Sequence, residues 1–334
     1  MKRLQGIFLV VGLILFGYLV SRVGPGTLLQ QLLDAGWGFG AVVATALASI
    51  VVMGVGWKIL LDQGKSRAGL VELVGASIVG AAINFLTPGS MGGEPVKASL
   101  LGDKVPSEEL VSTVLLHNLL YWLANLLLIV LGFFLALATL HLPLRLVLIL
   151  GGATMLVAVP VLLGAWIIHR GSAEGFLKLV RRIGITFHNL DHVMEKARQA
   201  DRLVRRFRAK HPGPFWWAFA WVFVGRALSV LEVWVILWVM GHQVSFPTAF
   251  LVQATSLIVY VAFAFIPSQL GANEGASFML FPFLGLSASV GLAMEVIRRL
   301  RVVALVLLGL GLLALFTVRR PAKKPGSVGL ATPE

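Results

Sequence analysis

Apolar residues fill most of the chain in long blocks, separated by short polar or basic stretches. An α-helix rises about 1.5 Å per residue, so about 20 apolar residues cross a ~30 Å hydrocarbon core. By that measure the sequence predicts full spans near 4–22, 37–60, 110–139, 143–168, 215–240 and 286–318. Two further stretches are apolar but broken. Residues 71–100 carry an apolar run from Val71 to Thr87, break at Pro88-Gly89-Ser90-Met91-Gly92-Gly93-Glu94-Pro95, then resume from Val96 to Leu101. Residues 247–285 do the same around Pro267-Ser268-Gln269-Leu270-Gly271-Ala272-Asn273-Glu274-Gly275.

A Pro/Gly break frees backbone N–H and C=O groups that hydrocarbon cannot satisfy, so it survives only against protein or a water-filled cavity. Either break alone reads equally well as an ordinary kink or loop. The two together are related. Pro88, Gly92 and Glu94 match Pro267, Gly271 and Glu274 with one inserted residue. Pro88 stands 30 residues before Asn118, and Pro267 stands 31 before Arg298, each end point lying in the long helix that follows. That is a weak internal repeat of the kind found in transporter folds.

Charge fixes the orientation, because Lys and Arg in short loops favour the cytoplasmic side. The 169–212 connection holds eleven Lys or Arg against four acids, the 58–67 connection holds Lys58, Lys65 and Arg67, and the tail holds Arg319, Arg320, Lys323 and Lys324. The 241–247 connection holds none and should face outward. The span before the first break then runs inward and the span before the second runs outward. The fold class expected is all-α and polytopic, with about six full spans and two re-entrant helical hairpins related as an inverted repeat. One integral-membrane domain, 1–318, would comprise a first repeat at 37–168, a linker at 169–212 and a second repeat at 213–318, followed by a basic tail, 319–334. Both termini are expected in the cytoplasm of a bacterial cell, with the protein in the inner membrane. Lys2 and Arg3 before Gly6–Val20 also fit a signal peptide, but no Ala-x-Ala cleavage pattern follows, which favours an uncleaved first span.

In the linker, Phe176, Val180, Ile183, Phe187, Leu190, Met194, Ala197 and Val204 recur at helical steps, opposite eight Lys and Arg between Arg181 and Arg208. A helix lying on an anionic leaflet fits this pattern, and so does a connector docked on the bundle.

Composition agrees with a membrane chain: 58% of the 334 residues are hydrophobic and 13% charged, where soluble domains carry roughly a quarter charged. The net charge of +13 sits in loops and tail, so topology explains it without a nucleic-acid partner. With no cysteine, disulfides, thiolate metal sites and a cysteine nucleophile are excluded. Metalloprotease, hydrolase, nucleotide-binding and dinucleotide motifs are absent. Ser90 and His117 lack a surrounding pattern that would make them nucleophile and base. No enzyme activity, metal or cofactor is expected.

Ionisable side chains within spans cost roughly 2.5–3.5 kcal/mol each on insertion scales, so Glu94, His117, Arg226, Glu232, Glu274, Glu295 and Arg298 are functional candidates. Glu295 and Arg298, three apart, also suit a local ion pair. Arg226 and Glu232 are six apart and more readily find partners elsewhere. Glu94 and Glu274 could bind a ligand or cap a helix. Lys97 could pair with Glu94 or a lipid phosphate, or snorkel to the interface. Asn84, Ser90, Gln269, Asn273 and freed backbone amides could coordinate a polar head group. Arg298 is expected to face the space between the repeats, near Glu94 or Glu274.

The string Thr87-Pro88-Gly89-Ser90-Met91-Gly92-Gly93-Glu94-Pro95-Val96-Lys97-Ala98, with Pro267 to Ala276 and an Arg298 eleven residues before Gly309, resembles the membrane domain of lysylphosphatidylglycerol synthase/flippase proteins. The resemblance spans about residues 5–318. It implies a flippase-like bundle with two re-entrant hairpins, whose stand-alone members are linked to hopanoid, glycolipid or polyprenyl-linked sugar pathways. Pro88, Gly92, Gly93, Glu94, Lys97, Gly271, Glu274 and Arg298 match the family pattern. His117-Asn118 departs from it, since many members carry Glu-Arg there. The chain is expected to lack the aminoacyl-transferase domain and to move a phospholipid, hopanoid or lipid-linked glycan with an anionic or polar head group between leaflets. The alternative is a non-catalytic accessory subunit partnered with an envelope-lipid biosynthetic enzyme.

The absence of native cysteine makes the topology directly testable. Single cysteines placed in 169–212 should resist an impermeant thiol reagent in intact cells and react after permeabilisation. Labelling in intact cells would overturn the orientation.

Overall fold

The computed structural model describes residues 36–87, 92–140, 142–170, 207, 209–263 and 271–319. The expected first span at 4–22, residues 171–206 of the linker, the tail from Arg320, and Pro88, Ser90, Pro267 and Gln269 lie outside the described residues. Among those described, every regular element is a helix. They are α1 (Gly38–Leu61), α2 (Leu70–Leu86), α3 (Gly93–Leu101), α4 (Ser107–Thr139), α5 (Leu144–Arg170), α6 (Pro212–Val239), α7 (Phe246–Ala262), α8 (Ala272–Leu280), a 3-10 turn (Phe281–Leu284) and α9 (Ala288–Arg319). Four of them, α1, α4, α6 and α9, are long and apolar enough to cross a membrane. This is a multi-pass membrane protein.

Local chemistry sets the boundaries. Pro212 opens α6, where a missing N–H costs nothing. Ser245 caps α7 by accepting from the Thr248 amide at 3.3 Å, with Pro247 in the first turn. Gly285 takes a left-handed conformation, φ 75°, and separates the 3-10 turn from α9. Each broken apolar stretch becomes a 17-residue helix followed, after the Pro/Gly segment, by a 9-residue helix. Gly80 lies against Lys97 and Gly92 against Ile83 and Thr87, so α3 folds back antiparallel along α2.

The helices pair in a pattern that maps onto itself when the two halves are exchanged. α1 packs against α6, α2 against α9, and α4 against α7. All three pairs are antiparallel. Gly38 meets Val239 while Gly56 meets Ala218, Gly75 meets Phe316 while Gly309 meets Ile78, and Gly132 meets Ala254 while Trp122 meets Tyr260.

Helix association in lipid lacks a hydrophobic driving force and depends on close packing and interhelical hydrogen bonds. Small residues provide the first: a Cβ on Gly225 would fall 2.5 Å from Met53 Cγ, and one on Gly56 would fall 2.9 Å from the Ala218 carbonyl oxygen. The Ser49 hydroxyl provides the second, donating to the Gly225 carbonyl at 2.6 Å. Outside, the surface is apolar, as a lipid-facing surface should be. Leu148, Ile149, Met155 and Leu156 of α5 are exposed, and exposed tryptophans mark both ends of α6, Trp216 and Trp217 at one and Trp238 at the other.

Gly309 and Gly311, both on α9, separate packing from propensity. A Cβ on Gly309 would lie 2.5 Å from Ala82 Cβ and 3.0 Å from the Ile78 carbonyl oxygen, whereas one on Gly311 meets nothing within 4 Å. Gly309→Ala should lower stability by about 1–3 kcal/mol through overpacking. Gly311→Ala should be neutral or stabilising by up to about 1 kcal/mol. Thermal unfolding of the purified variants in one detergent reads the difference, and equal melting temperatures would remove the close α2–α9 contact.

Candidate functional site

At the first break, α2 caps α3. The Gly93 amide donates to Asn84 Oδ1 at 2.6 Å and the Gly92 amide to Thr87 Oγ1 at 3.2 Å. A Cβ on Gly93 would stand 2.1 Å from the Gly80 carbonyl oxygen, so only glycine allows the two arms to close. Asn84, Gly92 and Gly93, expected to line a ligand site, thus hold the turn of the hairpin together.

Beyond the cap, Glu94 Oε1 accepts from Lys97 Nζ at 2.9 Å, while its Oε2 is buried and meets no hydrogen-bond donor among the described residues. The Lys97 stem lies over Gly80, and its ammonium stands 5.9 Å from the Trp57 ring centroid. Trp57 also stacks obliquely with His117, whose Nε2 is 3.3 Å from the Met53 carbonyl oxygen. Lys97 is therefore turned inward rather than snorkelling.

At the second break Gly271 adopts φ 84°, a conformation favouring glycine, and its amide donates to Glu274 Oε2 at 2.9 Å. The capping alternative for Glu274 is realised, yet its other oxygen is also engaged: Arg299 Nε donates to Oε1 at 2.6 Å. Asn273 Oδ1 is buried and has no partner among the described residues.

Arg298 does not sit against Glu94 or Glu274 as expected. Its Nη1 donates to Ser256 Oγ at 2.8 Å and to Glu295 Oε1 at 3.2 Å, and its Nη2 donates to Gln253 Oε1 at 2.7 Å. Successive helical residues point about 100° apart. Arg298 consequently faces α7 while Arg299 faces α8, and Arg299 takes the carboxylate assigned to its neighbour. Glu295, 4% exposed, is further held by the Ser277 hydroxyl at 2.8 Å.

Arg226 and Glu232 find separate partners. Glu232, 6% exposed, lies 3.1 Å from Arg301 Nε. That nitrogen is buried and not aligned to donate, so charge rather than a directed hydrogen bond holds the pair. Arg226 Nε donates to Asn125 Oδ1 at 2.7 Å, and its guanidinium stands 4.9 Å from the Tyr121 ring centroid.

Sequence reasoning missed Trp57, Tyr121, Asn125, Gln253 and Ser256 as members of the polar interior. Two of the signals were there: Tyr121 and Asn125 are four apart, and Gln253 and Ser256 three apart, the spacings that share a helix face. Among the described residues no group of three His, Asp or Glu side chains could hold a metal ion.

Residues 5–320 match the family described as the lysylphosphatidylglycerol synthase TM region. The chain belongs to this family. It is also similar to a UPF0104 membrane protein of Methanothermobacter thermautotrophicus, 24% identical over 314 residues that cover 90% of this chain and 91% of that one. No solved structure matches the chain. Family membership is consistent with a lipid-related role.

The Glu232–Arg301 pair gives a direct test of how this interior is held. Arg301→Met should cost about 3–5 kcal/mol by leaving a buried carboxylate alone, whereas the double change Arg301→Met with Glu232→Leu should recover most of that loss. Thermal unfolding or proteolysis in detergent measures both. A double variant as unstable as the single one would show that pairing is not what holds this site.

Proposed function

We propose that this protein moves a phospholipid, hopanoid or lipid-linked glycan between the leaflets of the cytoplasmic membrane. The observation that carries this reading is the pairing of two broken helices, each restarting at a glycine with an acid in the first turn of its short helix, within halves that run antiparallel. Placed in a bilayer with the basic loops inside, α1 runs inward and α6 outward. α2 then enters from the cytoplasm against α9, and α7 enters from outside against α4. These directions agree with the three antiparallel packings found between the halves. The α2–α3 and α7–α8 segments become two re-entrant hairpins, one from each face.

Such an arrangement suits alternating access, because helices broken near mid-depth expose polar groups toward the centre while the halves rock against each other. Glu94, Lys97, Glu274, Arg226 and Arg298 supply charge along the route of a head group that could not cross hydrocarbon unaided. Substrate contact is assigned to these side chains, with Gly92, Gly93 and Gly271 shaping the turns. Both termini lie in the cytoplasm in this reading.

Glu94→Gln and Glu274→Gln should lose most lipid movement in reconstituted vesicles, measured by the trans-leaflet exposure of a labelled lipid, with Glu274→Gln also the less stable of the two because it leaves Arg299 without its carboxylate. Glutamine retains an acceptor for the Gly271 cap but removes the charge opposite Arg299, so thermal unfolding is measured beside transport and rates are compared per folded protein. Wild-type rates in both variants would reduce these acids to a structural role.

A further inference from the structure

We propose that Arg226 and Asn125 form a seat for a phosphodiester oxygen of a lipid head group at mid-depth between α4 and α6. The inference rests on the transport reading and gives that substrate a chemistry. Among the described side chains of α6 and α9, Arg298, Arg299 and Arg301 each have a glutamate. Arg226 has none. It stands near the middle of α6, where an uncompensated charge is most expensive. Its Nε is engaged by Asn125 Oδ1, and its two terminal nitrogens meet no acceptor among the described residues.

Asn125 is 2% exposed. Because Arg226 can only donate, the amide must present its oxygen to the guanidinium, which leaves Nδ2 on the other side. That Nδ2 is buried and has no partner among the described residues. An unmet buried donor is costly, and here it belongs to the amide that touches an unmatched guanidinium. Both groups offer N–H bonds and no lone pair. Their complement is a ligand with acceptors only and a negative charge, and the planar fork of arginine matches two oxygens of one phosphate.

The carboxylates among the sequence's candidate residues pair with other cations: Glu232, Glu274 and Glu295 with the three arginines of α9, and Glu94 with Lys97. Access points to a lipid rather than an ion from water. Tyr121 backs the guanidinium, and Trp122, 40% exposed, stands edge-on to Tyr121 on the outer surface of the bundle.

The test uses the purified full chain in detergent, with binding of dioctanoyl phosphatidylglycerol read by native mass spectrometry and thermal shift. Dioctanoylglycerol, which has no phosphate, and inorganic phosphate serve as competing probes. Arg226→Gln and Asn125→Asp should each weaken binding by about tenfold or more. Asn125→Asp places a carboxylate of the same shape against Arg226, so its melting temperature should be at or above wild type while the seat is filled from within. Dioctanoylglycerol should not compete.

Equal binding of dioctanoylglycerol, or wild-type affinity in both variants, would overturn the seat. Displacement by inorganic phosphate as effective as by the lipid would overturn its assignment to a head group. Wild-type protein that binds the lipid but moves none in vesicles would sink the transport reading alone, and unchanged movement with Asn125→Asp would sink the seat alone.

Discussion

Hydrocarbon offers no hydrogen bonds, and every other feature of this protein follows from that constraint. A helix satisfies its own backbone, so the described chain is helical. Where a helix is broken, its freed groups must be met by protein. At the first break Asn84 and Thr87 reach across to the amides of Gly93 and Gly92. At the second, Glu274 turns back to the amide of Gly271. Two different side-chain solutions serve the same purpose, which explains why the repeat is faint in sequence.

Charge obeys the same constraint. Glu232, Glu274 and Glu295 each oppose an arginine from α9, so three anions and three cations form balanced pairs spread over α6, α8 and α9. Truncating one member of such a pair leaves an ion in a poor solvent. The three arginines of α9 are therefore bracing groups, and Arg226, opposed only by an amide and a ring, stands in a different environment from the other three.

Much of the fold was legible because length and hydropathy are what a bilayer selects. The expected spans at 37–60, 110–139 and 215–240 agree with α1, α4 and α6 to within a few residues, and both broken stretches resolve into a long and a short helix. The site was legible in kind but not in partnership. Glu94 with Lys97 and Glu295 with Arg298 could be anticipated, since a one-turn spacing fixes the pairing. Arg299 with Glu274, Arg301 with Glu232 and Arg226 with Asn125 lie 25, 69 and 101 residues apart, and helix rotation and packing decide them. Arg298 was misplaced for that reason, as one residue of rotation separates two different neighbours.

The reciprocal packing of the halves has a consequence for how such a chain can be divided. α2 is covered by α9 and α7 by α4, so each half supplies the wall for the other's broken segment. A half expressed by itself would show hydrocarbon a face shaped for a helix it does not possess. It could complete itself only with a second half inserted upside down. The contact of α1 with α6, made through a serine and two glycines, is the surface on which two such oppositely inserted fragments would first recognise each other. Co-expressed halves should therefore reassemble through it.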